Sequence, residues 1–571
     1  MPGALLQLVG KGAQDQLVTG NPTFTNFRSV YKRHTDFAME HFRCYFKTSQ
    51  LTYPSTGTLR LRTKMEKYAQ LLSDCYLNID MPEIYSPVVP LTAIPNSSLN
   101  GDSNAVGYEF QWISNLGYNM IRHVSVLING QEIVRHTGEW MKLYANLTFD
   151  ANKKAIIDRM IGNVPEVYDP ANADDRMNQY PHAISTSSAS AEPSIRGRTL
   201  VIPLHFWFCE SVGHALPLVA LQQSDVEIVV ELRNMYDLFT IKDVRQTSPT
   251  FGTRIAPDAS DTAFYMSHFL SPPLYATPQS NVVALTSWNL NGFIEANYIF
   301  VSDVELAYLA RTDHSFIFPQ IDMVIAEGQY GPSNDIELTM KNLCTRLVFV
   351  AQRSDRVLVN DFDNYTNWDS KLSPYSPSGL GWYTSGTAQP SNVSARDILL
   401  ESTLMLDGQE RFAPKQTGFF DGIQMYQHQT GNPMPGMYEY SFALDNDSVQ
   451  PSGSLNGSMF NKTILRNTYV LPPYSTGTVQ GSTSSTATVL CVLKSTATSA
   501  NPVIVNPAAT DAYGNLLYKP NEVVTLITKS STTNNMTNTQ VFQYTYTTRV
   551  YVQSYNFLRI IGGIGNIVFS S

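Results

Sequence analysis

Apolar and polar residues alternate with a period of two along several short segments of this chain. The alternation is clearest at residues 59–64, 75–81 and 124–128. This period is typical of a β-strand with one buried face. Further strands are predicted where apolar and β-branched residues form short runs, at 199–209, 226–232, 297–301, 315–318, 336–339, 347–350, 438–442, 541–552 and 555–561.

One strand-and-turn segment occurs twice. The residues from Ser125 to Glu132 are echoed from Ser402 to Glu410, and each copy has an apolar strand, a turn dipeptide and Gln-Glu. The turns, Asn129-Gly130 and Asp407-Gly408, are separated by 407 minus 129, or 278, residues, about half of the 571-residue chain. Asn-Gly and Asp-Gly are common hairpin turns, so chance similarity is the alternative. The Thr-Gly that follows each copy, at 137–138 and 417–418, favours a tandem duplication.

Polar loops and short helices divide the strands into two groups. Short helices are predicted at 139–149 and 304–310. We place an N-terminal arm at 1–24, a first domain at 25–308 and a second domain at 309–571. Long loops rich in Pro, Ser, Asn and Asp form insertions near 83–107, 163–197 and 246–280 in the first domain, and near 360–395 and 474–540 in the second.

Composition supports an all-β protein and argues against a protein that wraps nucleic acid. Hydrophobic residues make up 43% of the chain and charged residues only 15%, against ~25% in typical globular domains. The formal net charge is −9, which is not the basic surface that nucleic acid attracts. This low content of charged residues is consistent with a surface that is covered by copies of the same chain, or with a neutral, monomeric β-sandwich.

One basic cluster lies near the N-terminus and could face nucleic acid or a membrane, but a solvated strand edge is favoured. It consists of Arg28, Lys32, Arg33 and His34.

The cysteines are odd in number and none forms a Cys-x-x-Cys pair, which argues against a disulfide framework and zinc and fits a reducing cytosol. The N-terminal residues lack the features of a signal peptide, and no apolar run is long enough to span a bilayer. The cysteines are Cys44, Cys75, Cys209, Cys344 and Cys491.

The sequence shows no motif for catalysis or cofactor binding. Phosphate-binding loops, dinucleotide fingerprints, His-Glu-x-x-His and Gly-x-Ser-x-Gly are all missing. Asp361, Asp363 and Asp369 could hold a cation, but the Gly and distal Glu of a calcium loop are absent, so an acidic solvated loop is favoured. We therefore expect a non-enzymatic protein and assign no catalytic, cofactor-binding or metal-binding residue.

Motifs spread along almost the whole chain resemble the major capsid proteins of nucleocytoplasmic large DNA viruses. The matching segments are Leu5–Pro22, Phe27–Phe37, Leu216–Ile228, Tyr298–Phe300, Tyr440–Asn456 and Tyr555–Ile560, in the order that the family shows. The long loops at 163–197, 246–280 and 474–540 depart from compact members, which puts surface decoration and neighbour contacts in doubt.

The resemblance implies two tandem eight-stranded antiparallel jelly-roll β-sandwiches with long loop insertions and a few short helices. It implies homotrimeric, pseudo-hexagonal capsomers that tile an icosahedral capsid in the virion and are assembled in the host cytoplasm. The implied partners are copies of the chain, neighbouring capsomers, and penton and minor capsid proteins. The resemblance is also compatible with an internal membrane beneath the shell as a partner. It implies no sequence-specific binding of nucleic acid.

Two other functions remain as alternatives to a major capsid protein. A minor capsid or assembly scaffold protein could use the same fold. A carbohydrate-binding β-sandwich would instead present a carboxylate pair or an aromatic platform and would be a monomer.

Overall fold

A computed structural model gives the fold of the chain. It describes residues 3–47, 52–55, 57–86, 109–177, 179–183, 192–242, 254–257, 265–271, 287–329, 331–354, 356, 360–367, 397–448, 450–470, 475–477, 486–490, 526–529 and 545–569. The helices in these residues are α1 Gly3–Val9, α2 Ala13–Thr19, α3 Leu116–Met120, α4 Gly138–Thr148, α5 Ala151–Met160, α6 Pro165–Tyr168, α7 Trp207–Glu210, α8 Asp303–Arg311 and α9 Gln424–His428, the last preceded by a π-helical turn, Phe419–Ile423. In the part of the chain described, no helix has the length and hydropathy needed to cross a bilayer.

The described strands before α8 form two facing antiparallel sheets and a small third one. They are β1 Phe37–Tyr45, β2 Leu59–Met65, β3 Leu71–Met81, β4 Phe110–Trp112, β5 Ile121–Ile128, β6 Gln131–Thr137, β7 Arg198–Pro203, β8 Leu216–Pro217, β9 Val226–Leu232, β10 Phe239–Lys242, β11 Arg254–Ile255 and β12 Gly292–Val301. One sheet runs β1-β12-β3-β7, with β8 also paired to β3, and is called the β3–β12 sheet. The facing sheet runs β2-β9-β5-β6, and the small one β11-β10-β4.

The strands after α8 repeat this arrangement. They are β13 His314–Gln329, β14 Asn334–Leu338, β15 Leu343–Arg353, β16 Leu399–Leu406, β17 Gln409–Glu410, β18 Lys415–Gln416, β19 Met437–Ser441, β20 Leu455–Asn456, β21 Thr463–Tyr469, β22 Ser475–Gly477, β23 Thr486–Leu490, β24 Leu526–Lys529, β25 Tyr546–Ile561 and β26 Ile564–Ile567. The path β13-β25-β15-β19, with β20 and β26 beside it, is called the β15–β25 sheet. It faces β14-β21-β16-β17, with β18 beside it, and β22-β23-β24 form a separate small sheet.

Both halves therefore have the same strand order. If the main-path strands of each half are counted from one to eight, the first sheet reads 1-8-3-6 and the second reads 2-7-4-5. This is a Greek-key sandwich of the jelly-roll type, so the prediction of two tandem antiparallel jelly rolls is confirmed. The count of eight strands is not confirmed as such, because short strands such as β8, β18 and β20 also pair with the main paths.

The repeated turns have the backbone conformation that their letters predict. Asn129 and Gly130 have φ of 52° and 79°, and Asp407 and Gly408 have 47° and 83°. Positive φ at both central positions closes a tight hairpin whose twist matches the strands. Each turn joins corresponding strands of the two halves, β5 to β6 and β16 to β17.

The structure differs from the sequence predictions in the part of the first jelly roll that surrounds β7. The strand expected at 199–209 ends at Pro203, because proline cannot donate to the next ladder hydrogen bond; His205 then takes a positive φ of 44°, and α7 follows. The loop predicted at 163–197 contains the short helix α6, and helix α5 lies directly before it; the insertion at 163–197 stays a prediction. Helix α8 lies between the two jelly rolls, and the boundary at 308/309 within it stays a prediction.

The N-terminal arm is exposed throughout its described length. Helices α1 and α2 have no buried residue. The basic cluster at 28–34 also lies in exposed, non-strand chain before β1, so the predicted strand edge is wrong. The arm is held by no packed core of its own.

Candidate functional site

The best-defined functional feature of the described chain is the contact between helix α4 of the first jelly roll and the outer face of the β15–β25 sheet of the second. We call it the inter-roll contact. Helix α4 begins at the repeated Thr-Gly: the Thr137 hydroxyl accepts a hydrogen bond from the Trp140 amide at 3.1 Å. A Cβ on Gly138 would lie 2.0 Å from the carbonyl oxygen of Tyr118. Glycine therefore lets the chain turn sharply from β6 into a helix that points at the second jelly roll.

Apolar side chains fill the centre of the inter-roll contact. Trp140, Leu143 and Leu147 of α4 are at most 3% exposed. They form one cluster with side chains of the second jelly roll: Val348, Val350, Tyr365, Met425, Met437 and Tyr551. The rings of Trp140 and Tyr551 lie 5.4 Å apart. Since burying a large apolar side chain contributes about 1.5–3 kcal/mol, this cluster holds the two jelly rolls together.

A buried ion pair crosses the contact beside the apolar cluster. Lys142 of α4 pairs with Asp363 of the segment after β15, and their side chains are 1% and 0% exposed. Asp363 also accepts hydrogen bonds from Ser114 Oγ at 2.6 Å, Asn115 Nδ2 at 2.7 Å and Asn119 Nδ2 at 3.0 Å. The buried carboxylate is therefore paired and hydrogen-bonded, as such a group must be to remain charged.

This geometry overturns the sequence interpretation of the acidic group. Asp363 was expected in a solvated loop and is instead buried between the two jelly rolls. Asp361 accepts a hydrogen bond from the Asn364 side chain at 3.0 Å, and Asp369 lies outside the described residues. Within the described residues, no group of three or more His, Cys, Asp or Glu side chains could hold a metal ion.

A second charged group on α4 is bound by three residues of the second jelly roll. Glu139 accepts hydrogen bonds from Arg549 at 3.0 Å, Tyr365 at 2.7 Å and Tyr551 at 2.5 Å. Burial alone would raise the pKa of Glu139, but the positive charges of Arg549 and Lys142 and the two tyrosine hydroxyls outweigh it, so its pKa is lowered. Glu139 is thus held as a carboxylate that joins α4 to β25.

A third buried group lies where β15 and β19 approach α4. Arg346 and Glu439 are both 0% exposed, with 3.7 Å between Nη1 and Oε1. Arg346 also donates to Gln553 at 2.8 Å, and its guanidinium lies 5.7 Å from the Trp140 ring centre. Burial raises the pKa of Glu439 to about 7, against the opposing effects of Arg346 and Gln429.

Main-chain groups complete the contact at its edges. The Asn360 side-chain amide donates to the carbonyl oxygens of Tyr236 at 2.7 Å and Phe239 at 2.9 Å. The amide of Gly431 donates to the carbonyl oxygen of Leu147 at 2.7 Å. These bonds satisfy buried polar groups and fix how the two jelly rolls are oriented.

Sequence reasoning found the helix but none of its cross-roll partners. The polar residues of α4 that carry the contact are Glu139 and Lys142, and the sequence analysis assigned a role to neither. The available signal was the Thr-Gly start of the helix. In the inter-roll contact, each buried charge is paired with an opposite charge of the protein itself. The contact therefore joins the two jelly rolls.

Comparison with known proteins gives matches along most of the chain. A family model described as "Major capsid protein N-terminus" matches residues 25–271, and one described as "Large eukaryotic DNA virus major capsid protein" matches residues 305–504. The major capsid protein of Phaeocystis pouchetii virus is 26% identical over 558 residues, covering 86% of this chain and 96% of that protein. The major capsid protein of Paramecium bursaria Chlorella virus 1 is 25% identical over 510 residues, covering 86% and 95%.

Solved structures show the same fold at lower identity. The quasi-atomic structure of the PBCV-1 virus capsid has a TM-score of 0.58 at 18% identity and covers 96% of this chain and 100% of that one. The Faustovirus major capsid protein has a TM-score of 0.56 at 12% identity and covers 98% and 96%.

Proposed function

This chain belongs to the major capsid proteins of large eukaryotic DNA viruses, and we propose that it builds the icosahedral shell as a homotrimeric, pseudo-hexagonal capsomer. Its location is the capsid of the virion. The proposed role is structural and non-catalytic.

The observation that carries the proposal is the inter-roll contact between two jelly rolls of identical strand order. The apolar cluster around Trp140 and the buried Lys142–Asp363 pair fix one jelly roll against the other. A chain of this kind is a block with two similar halves. Three such blocks around an axis present six similar edges, and a six-edged block tiles a closed shell with few kinds of contact.

The chemistry of the inter-roll contact supports a structural role. Lys142, Glu139 and Arg346 bind groups within the protein. These buried charges fix the orientation of the two jelly rolls relative to each other. A capsomer needs such a fixed orientation.

The exposed arm supports contacts with further capsid components. Leu17 and Val18 of the arm, and Phe27 and Tyr31 of the segment that follows it, are each at least 86% exposed. Large apolar side chains along an unpacked segment are typical of an interaction site. We propose that the arm lies against neighbouring capsomers, penton or minor capsid proteins, or an internal membrane under the shell.

Light scattering on purified protein tests the proposed assembly. A chain of 63.7 kDa should give a stable species at three chain masses, about 191 kDa. The species should persist on dilution to the low micromolar range, since obligate assemblies bury large interfaces. A monomer at all concentrations would contradict the capsomer and favour the carbohydrate-binding alternative, which glycan-array binding would then examine.

A further inference from the structure

The second jelly roll carries its own copy of the helix that forms the inter-roll contact. Thr417-Gly418 is followed by the helical segment 419–428, as Thr137-Gly138 is followed by α4. On α4, Trp140, Leu143 and Leu147 form an apolar triplet over seven residues. On the second helical segment, Phe419, Ile423 and Tyr426 form a triplet with the same span.

The two triplets differ in what covers them. Leu143 and Leu147 are fully buried by the second jelly roll, whereas Ile423 is 51% exposed and Tyr426 is 91% exposed. Both helices leave the same position in the same fold, after β6 and after β17–β18. The chain therefore covers one copy of this helix face and leaves the other open.

The two sheet faces that could receive such a helix also differ in burial: one is covered and the other is partly exposed. In the second jelly roll, the receiving face lies on the two central strands of the β15–β25 sheet, where Val348 pairs with Tyr551 and both are buried. In the first jelly roll, the corresponding outer face of the β3–β12 sheet has Tyr76 paired with Glu295 and Asn78 paired with Phe293. Tyr76, Glu295 and Phe293 are only half-buried.

We propose that the helix face of Ile423 and Tyr426 docks on the outer face of the β3–β12 sheet of a second copy of this chain. The inference rests on the proposed capsomer and specifies which surfaces join its subunits. The chain itself indicates that the docking partner is a second copy of the chain. Every chain has one covered and one open helix of this kind, and one covered and one open sheet face. Head-to-tail contact between the open pair repeats the inter-roll contact between chains.

This contact is heterologous, so its geometry decides the assembly. A heterologous contact closes into a ring when its rotation divides a full turn. When the contact within the chain and the contact between chains each supply a sixth of a turn, six jelly rolls from three chains close one ring. The chemistry is compatible, because Tyr76 and Phe293 offer aromatic surface to Ile423, and the Glu295 carboxylate can accept a hydrogen bond from the Tyr426 hydroxyl.

The first test is the assembly of Ile423→Asp and, separately, Tyr426→Asp, measured by light scattering over a dilution series. Each should raise the concentration at which trimers dissociate by at least tenfold, because a carboxylate would be buried against Glu295. Ile156→Asp is the matched control: Ile156 lies on α5 and is 50% exposed, against 51% for Ile423. It should assemble like the wild type, and circular dichroism melting should show all three variants folded.

A cross-link gives a second test that does not depend on the aspartate variants folding. Chains carrying Tyr426→Cys are mixed with chains carrying Tyr76→Cys, reassembled and oxidised, with wild-type protein as the control for the native cysteines. Disulfide-linked dimers should form in the mixture and not in either variant alone.

The outcomes separate the two proposals. A wild-type protein that is monomeric overturns both the capsomer and the docking surface. A wild-type trimer with unchanged Ile423→Asp and Tyr426→Asp assembly, or with no cross-link between positions 426 and 76, overturns the docking surface alone.

Discussion

Lys142 and Asp363 form an ion pair between the two jelly rolls, and their side chains are 1% and 0% exposed. The residues lie 221 positions apart in the sequence. Removing two charges from water is costly, and the cost is recovered only while both partners are present. The pair therefore makes the orientation of the two jelly rolls sensitive to either residue.

Lys142→Met should destabilise the protein by about 3–5 kcal/mol, because the buried Asp363 carboxylate would lose its Lys142 ammonium partner. Urea unfolding followed by circular dichroism at a fixed protein concentration measures the loss. Adding Asp363→Leu to Lys142→Met should recover part of the loss, since neither charge of the Lys142–Asp363 pair then remains buried.

Arg62→Met is the control for loss of a surface ion pair. Arg62 pairs with Glu227 on the β2–β9 edge, and the Arg62 side chain is 53% exposed. Exposed pairs contribute little, so this variant should unfold like the wild type. Equal losses for Lys142→Met and Arg62→Met would show that burial of the Lys142–Asp363 pair has no special energetic effect.

Features set by neighbouring residues could be predicted from the sequence. The turns at Asn129-Gly130 and Asp407-Gly408, the alternating strands and the helix after Thr137 all follow from local chemistry. The inter-roll contact could not be predicted, because burial of Asp363 depends on Lys142 reaching it from a distant helix. The break at Pro203 was missed because the apolar run continues through Phe206, and apolarity alone does not distinguish a strand from a packed loop.

Gly138→Ala and Gly418→Ala should have opposite effects although both glycines follow a threonine in the repeat. A Cβ on Gly138 would lie 2.0 Å from the Tyr118 carbonyl oxygen and 2.2 Å from that of Ile121. Backbone would have to move, at a cost of about 1–3 kcal/mol or more. A Cβ on Gly418 meets nothing within 4 Å, and φ there is −58°, so alanine should be neutral or stabilise by up to about 1 kcal/mol.

Thermal unfolding of both glycine variants measures this difference. Similar losses at both positions would mean that the two Thr-Gly segments are equally crowded, contrary to the structure.

Glu139→Gln should become less harmful as the pH falls. The pKa of Glu139 is lowered in the fold despite burial, mainly by Arg549 and Lys142. A carboxylate of this kind contributes stability above its unfolded pKa, near 4.5, and loses it as the pH falls through the folded value. The difference in unfolding free energy between wild type and Glu139→Gln should therefore shrink in acid. A difference that grows in acid would contradict the assignment of Glu139 as a bound carboxylate.

Glu439→Gln should show the opposite pH dependence. Burial raises the pKa of Glu439 to about 7 from 4.5, so the folded protein binds this proton more tightly than the unfolded chain. The corresponding stability is complete below about pH 4.5 and is lost as the pH rises through about 7. The wild type should therefore lose stability relative to Glu439→Gln over this window, by at most about 1.4 kcal/mol per pH unit. Urea unfolding of both proteins from pH 5 to pH 8 measures the difference, with Glu132→Gln on the exposed face of β6 as the control for removing a carboxylate. The difference cancels the contribution of Glu210, whose pKa burial also raises to about 7. A flat difference, or one in which the wild type gains on the variant with rising pH, would mean that the pKa of Glu439 is not raised beside Arg346.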